Sequence, residues 1–580
     1  MIKYACKSCN NLICETSMCP VCNGRTEVIK AAIYWCPICN APSFEEECKS
    51  CHSICTYIGT DLRPVFPEER LLIEVLENEP FKYAGKPVWN VGANHYVIDG
   101  KKINISFKDY RKASDVDTII KILKDNEIKN KQYDDIFNDS ESILNFIKIN
   151  RSRLNYITHE ATLYIDRVSL NKDESEMFVS FSGGKDSTVV SDLVINTLNK
   201  NIIHIYGDTT LEYPTTGMYI LRFKKSHPNI PLLISKNKDQ DFNDLCKVIG
   251  PPARMLRWCC TVFKTGSITK KIDSTFRNKK SIISFQGIRR MESTARNKYD
   301  RESSESKIRK QIVVSPIIDW LDFDVWLYIL SNKLDYNEAY KQGFSRVGCW
   351  CCPNNSGWSE YLSAIYMNDK FNAFRETLYD FARRIGKRDW KDYIDEGQWK
   401  KRQGGNGLEI SKKSVVSFKP CAMEENTYNF DLTKPISDDL YKFFKPFGTL
   451  NFDMGRKMLN EVYVLDRSTR LPLLRISGKA GSNILKISIV GENNQLSIKK
   501  NVESMLKNQI NKYQTCLGCT YCEAVCKFDA IRVFNKSKGN VSNDNIFYQI
   551  DESKCIGCLE CVRHFSNGCY LNKVLTIKKD

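Results

Sequence analysis

The sequence predicts an α/β protein: a parallel sheet with helices on both faces, carried between two cysteine-rich, metal-binding ends. Three observations predict it. Short apolar runs alternate with helical stretches from about 170 to 355, four CxxC pairs crowd residues 1 to about 60, and a C-x2-C-x2-C-x3-C run begins at Cys516.

At 580 residues the chain exceeds one ordinary domain, and about three to five are expected. An apolar content of 42% with 11% aromatics supports real cores. The formal charge of +17 points to an anionic partner, a nucleic acid or a nucleotide substrate, set against a lysine-rich surface that only solubilises. The start "MIKYACKSCNN" lacks a basic region followed by an apolar stretch, so no secretory signal is expected. No run of about 18 apolar residues occurs, so no membrane span is expected. Closely spaced CxxC pairs among 25 cysteines, without a signal, read as metal sites in a reducing compartment, and the expected location is cytoplasmic.

Residues 1–60 carry Cys6/Cys9, Cys19/Cys22, Cys36/Cys39 and Cys48/Cys51, with nine residues between the first two pairs and eight between the last two. Two residues between thiolates let a tight turn present both sulfurs to one ion, and two such turns complete a closed tetrahedral site. Tandem zinc ribbons holding two zinc ions follow, in a structural role. Cys14 and Cys55 are left over, so another choice of ligands stays open. Residues 61–165 mix strand-like pieces ("HYVIDGKKINISF") with charged helical ones ("DVDTIIKILKDNEI") and read as an accessory module without a catalytic constellation.

Residues 166–360 carry the sheet. "MFVSFS", "IIHIYGD", "LLISK" and "SIISFQGIRR" read as strands, and "KDSTVVSDLVINTLNK" as a helix. Ligands of such sheets sit at the carboxyl ends of the strands, where "SGGKDS" and "GDTTLEYP" both lie. Gly183 and Gly184 allow a sharp turn that aims N–H groups at an anion; the following helix adds its positive end and Lys185 a full charge. Ser182, Ser187 and Thr188 offer hydroxyls, and Asp186 suits a magnesium ion held with ATP. Asp208 joins this nucleotide-binding set, and Lys185, Asp186 and Ser187 are its catalytic members. The P-loop spacing is absent: Val179 stands where its first glycine belongs, and Asp follows the lysine.

"SGGKDS" resembles the PP-motif of the ATP pyrophosphatases, whose relatives include the phosphoadenosine phosphosulfate (PAPS) reductases. "GDTTLEYPTT", "GPPARMLRWCCTVFK", "GIRRMES", "PIIDW" and "RVGCWCCP" are similar to that reductase branch in order and spacing, over about 175–355. The resemblance implies a nucleotide α-hydrolase fold, with phosphate contacts from Ser182, Gly183, Gly184, Lys185, Asp186 and Ser187. It also implies a central [4Fe-4S] cluster on Cys259, Cys260, Cys349 and Cys352, where thiolates alone would also suit zinc. Cys351 is a packed thiol or a sulfur carrier beside it. Arg254, Arg257, Lys264, Arg289 and Arg290 make the region basic, and Arg289 and Arg290 are assigned to anion binding. Two departures stand out: the loop is intact, as in enzymes that cleave ATP, and no tail motif resembling "ECGLH" occurs, Cys421 being a weak match.

Residues 361–510 contain helical material, a Gly-rich "RQGGNG" and strands such as "PLLRISG" and "ILKISIVG", without a legible function. Residues 511–580 hold "CLGCTYCEAVC", with the spacing of bacterial two-cluster ferredoxins, in which each fourth cysteine serves the other cluster, and "CIGCLECVRHFSNGC", with a longer final gap. One [4Fe-4S] cluster then takes Cys516, Cys519, Cys522 and Cys569, and the other Cys555, Cys558, Cys561 and Cys526. Three clusters are expected in all, fed by a low-potential electron donor.

The leading expectation is an ATP-dependent, ferredoxin-coupled sulfur transfer to a nucleic acid or nucleotide, with a sulfur donor such as a cysteine desulfurase. The central domain is similar to sulfur-inserting proteins of DNA phosphorothioation systems, which fits the basic charge. The alternatives are a ferredoxin-dependent reductase of PAPS or adenosine phosphosulfate that releases sulfite, and a nucleic-acid-binding subunit of a defence or modification complex.

Overall fold

A computed structural model describes residues 3–6, 9, 12–14, 20–22, 27–110, 112–293, 296–304, 308, 310–402, 417–490, 501–536, 546–564 and 569–570. The chain forms two compact units: Met1–Ser235 with Ser274–Asn372, and Lys236–Asp273 with Ala373–Asp580.

In the first unit, β1 (Ile33–Cys36) pairs antiparallel with both β2 (Ala41–Ser43) and β3 (Thr56–Gly59). The accessory segment supplies a four-stranded sheet that includes the hairpin His95–Ile98/Lys101–Asn104, and helices Ala113–Asp135, Glu141–Ile149 and Arg151–Ser169. The main sheet has six strands: β4 (Met177–Ser180), β5 (Ile203–Asp208), β6 (Leu232–Lys236), β7 (Ile282–Phe285), β8 (Glu302–Ser303) and β9 (Gln311–Val314). Their order is β6-β5-β4-β7-β9-β8. The β5/β4, β4/β7 and β7/β9 pairs are parallel, and β8 runs antiparallel to β9 at the edge. The strands read as short apolar runs because parallel strands are covered on both faces.

Helix α1 (Lys185–Leu198) follows β4 and buries Val189, Val190, Leu193 and Val194 along one stripe. Asn199, in the left-handed region at φ 49°, ends it. Helix α2 (Pro214–Ser226) follows β5, and α3 (Asp322–Ser331) follows β9. From β4 the chain steps outward to β5 and β6, then returns to the other side of β4 as β7. That reversal opens a crevice at the carboxyl ends of β4 and β7, the place where open parallel sheets bind ligands. One hydrophobic core joins Trp35 and Cys36 of the ribbon, Trp89 and Phe146 of the accessory segment, and Val179 and Trp326 of the sheet layers.

The second unit contains a six-stranded antiparallel sheet between residues 417 and 489. The expected strands "PLLRISG" and "ILKISIVG" are neighbours in it, as Pro472–Ser477 and Ile484–Ile489. The "RQGGNG" stretch lies, from Gln403 on, outside the described residues. Helices Phe242–Ile249 and α4 (Val502–Thr515) belong to this unit, as do a π-helix, Cys260–Thr265, and the short α5 (Tyr521–Val525). A hairpin, Ile531–Asn535/Ile546–Ile550, links the two cysteine runs. Among the described residues no helix is long and apolar enough to cross a membrane.

Candidate active site and metal centres

β4 delivers the chain into the glycine turn, and α1 starts at Lys185 with Gly184 as its extended cap residue. Gly183 sits at φ 73°, and a Cβ there would stand 3.0 Å from Thr216 Cγ2, so glycine answers both backbone and space. Asn337 Nδ2 donates to the Gly183 carbonyl (3.3 Å) and to Thr216 Oγ1 (2.9 Å). The Ser182 N–H donates to Ser187 Oγ at 3.2 Å, and the Ser187 hydroxyl donates to the Gly184 carbonyl at 2.8 Å. Thr188 Oγ1 shares a 2.8 Å hydrogen bond with Tyr219 Oη. Among the described residues, the N–H groups of Gly183, Gly184, Asp186 and Ser187 meet no protein acceptor. Four free N–H groups at a helix start make an anion cradle.

Beneath the turn lies a closed charge network. Lys185, 1% exposed, places Nζ 3.1 Å from Asp322 Oδ1 and 3.6 Å from Asp186 Oδ2, and donates to the Ser345 carbonyl at 3.0 Å. Its backbone N–H donates to Tyr340 Oη at 2.9 Å. Arg289 Nε pairs with Asp186 Oδ1, and Arg289 Nη2 with Asp322 Oδ1 at 2.7 Å. Burial presses the Lys185 pKa down, but Asp186 and Asp322 outweigh it and hold the ammonium charged. Burial likewise raises Asp186, while Arg289 and Lys185 bring its net shift below the usual carboxylate range. The backbone of the turn is clamped from β7: a Cβ on Gly287 would stand 2.6 Å from the Asp186 carbonyl carbon and 2.8 Å from the Ser187 nitrogen.

At the carboxyl end of β5, Glu212 accepts from the Thr209 N–H (3.1 Å) and hydroxyl (2.6 Å), and Thr209 Oγ1 lies 3.7 Å from Cys349 Sγ. The Trp350 N–H donates to the Leu211 carbonyl at 3.0 Å. "TTLEYP" therefore holds the Cys349–Cys352 turn at this end of the sheet.

In the second unit the two cysteine runs repeat one backbone. Gly518 and Gly557 have φ of 71° and 69°, and Thr520 and Leu559 each have φ of 58°. The thiol charges sort into two sets: Cys516, Cys519, Cys522 and Cys569 act on one another, as do Cys526, Cys555, Cys558 and Cys561. The second set lines a cavity of about 220 Å³ with Ile531 and Leu559. Four thiols around a mostly apolar hollow fit an iron–sulfur cluster. Arg467 adds a guanidinium, donating to Cys555 Sγ at 3.3 Å and to its carbonyl at 2.8 Å.

Residues 176–355 match the phosphoadenosine phosphosulfate reductase domain, and residues 515–564 the 4Fe-4S dicluster domain. The chain carries a PAPS reductase domain. Two uncharacterized proteins of Methanocaldococcus jannaschii are each 32% identical to it, over 40% and 37% of this chain. The matches span 47% and 50% of those relatives, about half their length. An adenosine 5'-phosphosulfate reductase of Oceanobacillus iheyensis is 29% identical over 31% of this chain and 71% of its own length. Among solved structures, the phosphoadenylyl-sulfate reductase of Candida auris aligns over 34% of this chain and 95% of its own, at 16% identity and a TM-score of 0.27.

The expected loop residues of the reductase domain, Ser182 through Thr188, come together as one turn, and Arg289 joins them through carboxylates. Arg290 does not: its guanidinium pairs with Asp319 and donates to the Tyr299 carbonyl at 3.1 Å. Asp208 accepts the Thr210 N–H at 2.8 Å and caps its own turn. Asp61, Gly287, Asp322, Asn337 and Tyr340 were not expected at this site. Only "GIRR" and "PIIDWLDFD" carried a signal, a glycine after a strand and acids at a helix start.

The central cysteines of the reductase domain divide between the units, Cys349 and Cys352 in the first, Cys259 and Cys260 in the second. Cys259 caps the π-helix and Cys260 is exposed. The π-helix packs on α5, inside the first ferredoxin run. Thr261 Oγ1 donates to Tyr521 Oη at 3.2 Å, Lys270 pairs with Glu523, and a Cβ on Gly266 would stand 2.6 Å from Ala524 Cβ. Cys421 sits between strands Ser417–Pro420 and Thr427–Asp431, where the Met423 N–H lowers its pKa.

At the amino end, the sulfurs of Cys36, Cys39, Cys48 and Cys51 all lie within 4.8 Å of one another, with 3.4 Å between Cys36 and Cys51 and 3.7 Å between Cys39 and Cys48. A tetrahedron of thiolates about 2.3 Å from zinc has edges of about 3.8 Å, so the set fits. Asn145 Nδ2 donates to the Cys39 carbonyl at 2.9 Å and ties the ribbon to a neighbouring helix.

The expected first ribbon, on Cys6, Cys9, Cys19 and Cys22, falls partly outside the described residues. Cys9 is half-buried and packs against the hydrophobic core, and Cys22 is exposed. Cys19 and the side chain of Cys6, which would complete the two turns, lie outside the described residues. Among the described residues the complete thiolate set is that of the second ribbon.

Proposed function

We propose that this chain is an iron–sulfur PP-loop enzyme that reduces an adenosine phosphosulfate-type sulfonucleotide to sulfite, using electrons from its own ferredoxin domain. The observation that carries the reading is the packing of the first ferredoxin run on the Cys259–Cys260 turn. An enzyme that only adenylated a substrate has no use for electrons delivered there. The resemblance to adenosine 5'-phosphosulfate reductases supports the same substrate class. Lys185 and Asp186 are also committed to Asp322 and Arg289, which leaves no free carboxylate in the turn for a magnesium ion.

In this reading the N–H groups of Gly183, Gly184, Asp186 and Ser187 hold the nucleotide phosphate, and Lys185 adds fixed positive charge behind them. Cys259, Cys260, Cys349 and Cys352 hold a central [4Fe-4S] cluster, by the sequence resemblance. The clusters, when bound, supply electrons singly, and two electrons take the sulfate sulfur to sulfite as its bond to the nucleotide phosphate breaks. Electrons from the ferredoxin domain replace those of a tail thiol, so no "ECGLH" counterpart is required. We place this chemistry in a reducing, cytoplasmic compartment on the strength of the thiol-rich composition.

A second reading, ATP-dependent sulfur transfer to a nucleic acid or nucleotide from a donor such as a cysteine desulfurase, is favoured by the intact loop and its free N–H groups. One anaerobic assay separates the two. Cluster-loaded protein with reduced methyl viologen is given adenosine phosphosulfate, PAPS, or Mg-ATP with DNA. Sulfite from either sulfonucleotide supports reduction; its absence from both, with pyrophosphate formed from ATP, supports sulfur transfer instead.

A further inference from the structure

The second unit contains a stacked aromatic pair beside both of its cysteine systems. Tyr521 lies inside the first ferredoxin run, between Cys519 and Cys522, and Tyr570 directly follows Cys569. Their rings stack with centroids 4.0 Å apart and planes 7° apart. Tyr521 Oη accepts a hydrogen bond from Thr261, the residue after Cys260, at 3.2 Å. The charges of Cys519 and Cys260 both act on the Tyr521 phenol, and those of Cys519 and Cys259 on Tyr570. The Lys270–Glu523 pair and the close approach of Gly266 to Ala524 fix the two segments around the stack.

We infer that the Tyr521–Tyr570 stack is the electron path between the group held by Cys516, Cys519, Cys522 and Cys569 and the group held on the Cys259–Cys260 turn. The inference rests on the proposed reading of the central cysteines as cluster ligands. The stacked rings stand next to both sulfur sets: Tyr521 between Cys519 and Cys522 in sequence and hydrogen-bonded to the residue after Cys260, Tyr570 beside Cys569. One electron at a time leaves the donor and arrives at the acceptor. Neither phenol is oxidised or deprotonated, so no proton accompanies the step. A low-potential one-electron carrier replaces each electron. The path also has a direction. Cys558 is exposed and Ile556 beside it is 64% exposed, so the second set faces the carrier, whereas Cys516, Cys519 and Cys522 are buried against the exit.

The test uses the full chain with its clusters loaded anaerobically. Tyr521→Leu, Tyr570→Leu and Tyr521→Phe are compared with the unmodified protein for iron content and, by freeze-quench paramagnetic resonance after mixing with reduced methyl viologen, for the rate at which each cluster signal appears. Both leucine variants are expected to keep their iron and reduce the ferredoxin clusters normally, while the central signal appears about tenfold more slowly. The phenylalanine variant, which keeps the ring, is expected to retain the rate. Unchanged central reduction in both leucine variants overturns the inference. If leucine disturbs cluster loading, the unmodified protein still decides: magnetic broadening between the first ferredoxin cluster and the central one supports the path, and its absence overturns it. Cys259→Ser separates the two claims, since it should lose the iron of one cluster, about four atoms. If it loses none, the central reading falls and the inference with it; if the iron is lost, the tyrosine variants judge the inference alone.

Discussion

Asp61 Oδ2 accepts the backbone N–H of Asp322 at 2.9 Å, so a residue from the start of the accessory segment caps the helix that carries a carboxylate to Lys185. Its second oxygen takes the Phe323 N–H at 3.0 Å. Burial first, and then the charge of Asp322, push the Asp61 pKa up to about 7, against the pull of Arg289. Because the folded-state pKa lies above the unfolded one, the folded chain binds the extra proton between about pH 4 and 7, and Asp61 makes stability fall as pH rises through that window. In Asp61→Asn that part of the decline should vanish, which thermal unfolding from pH 5 to 8 would read as a flatter profile. An unchanged profile would show that Asp61 stays ionised throughout.

Gly287 occupies space no other residue can share. A methyl there would press on the Asp186 carbonyl carbon at 2.6 Å and the Ser187 nitrogen at 2.8 Å, both backbone atoms. Gly287→Ala should therefore displace the turn, costing about 1–3 kcal/mol. Weakened binding of adenosine phosphosulfate by calorimetry, beside a lowered Tm, is the expected result. Wild-type affinity would mean that β7 does not set the shape of the cradle.

The ribbon shares its core with the sheet, so its metal should matter to the whole first unit. Cys48→Ser should remove one zinc ion per chain by elemental analysis. A loss of about 3 kcal/mol would lower Tm by roughly 5 °C or more. Retention of zinc at the wild-type ratio would point to ligands other than Cys36, Cys39, Cys48 and Cys51.

The strands and the glycine turn were legible because their signals are local: apolar runs of strand length, a glycine pair, and a helix period beginning at Lys185. The two cysteine runs were legible from spacing, and the crossing of their fourth cysteines is what the likeness to two-cluster ferredoxins implies. Spacing also marked the second ribbon, whose four sulfurs, those of Cys36, Cys39, Cys48 and Cys51, come together. What surrounds Lys185 was not legible, because Asp61, Asp322 and Tyr340 are brought in by tertiary packing and each looks like an ordinary surface residue in sequence. For the same reason Arg289 read as an anion ligand, whereas its guanidinium is already matched by two carboxylates. The antiparallel sheet of the second unit showed two of its strands in sequence but not their pairing, since Thr427–Asp431 joins Ile484–Ile489 across a long intervening stretch.

Arg467 offers a label for one ferredoxin cluster and with it a test of the crossing. Its guanidinium donates to Cys555 Sγ at 3.3 Å, and a hydrogen bond to a ligand sulfur raises the reduction potential by stabilising the added electron. Arg467→Ala should therefore lower one of the two ferredoxin potentials. The shift should be tens of millivolts, since a net contribution of about 1 kcal/mol equals roughly 40 mV for one electron. The charges of Cys555 and Cys558, from the other run, act on Cys526, and that of Cys569 acts on Cys516 and Cys519. In a paramagnetic-resonance titration, Cys526→Ser should then alter the same signal that Arg467→Ala shifts, and Cys569→Ser the other. If Cys526→Ser instead alters the signal that Arg467→Ala leaves in place, each run holds its own cluster and the crossing is wrong.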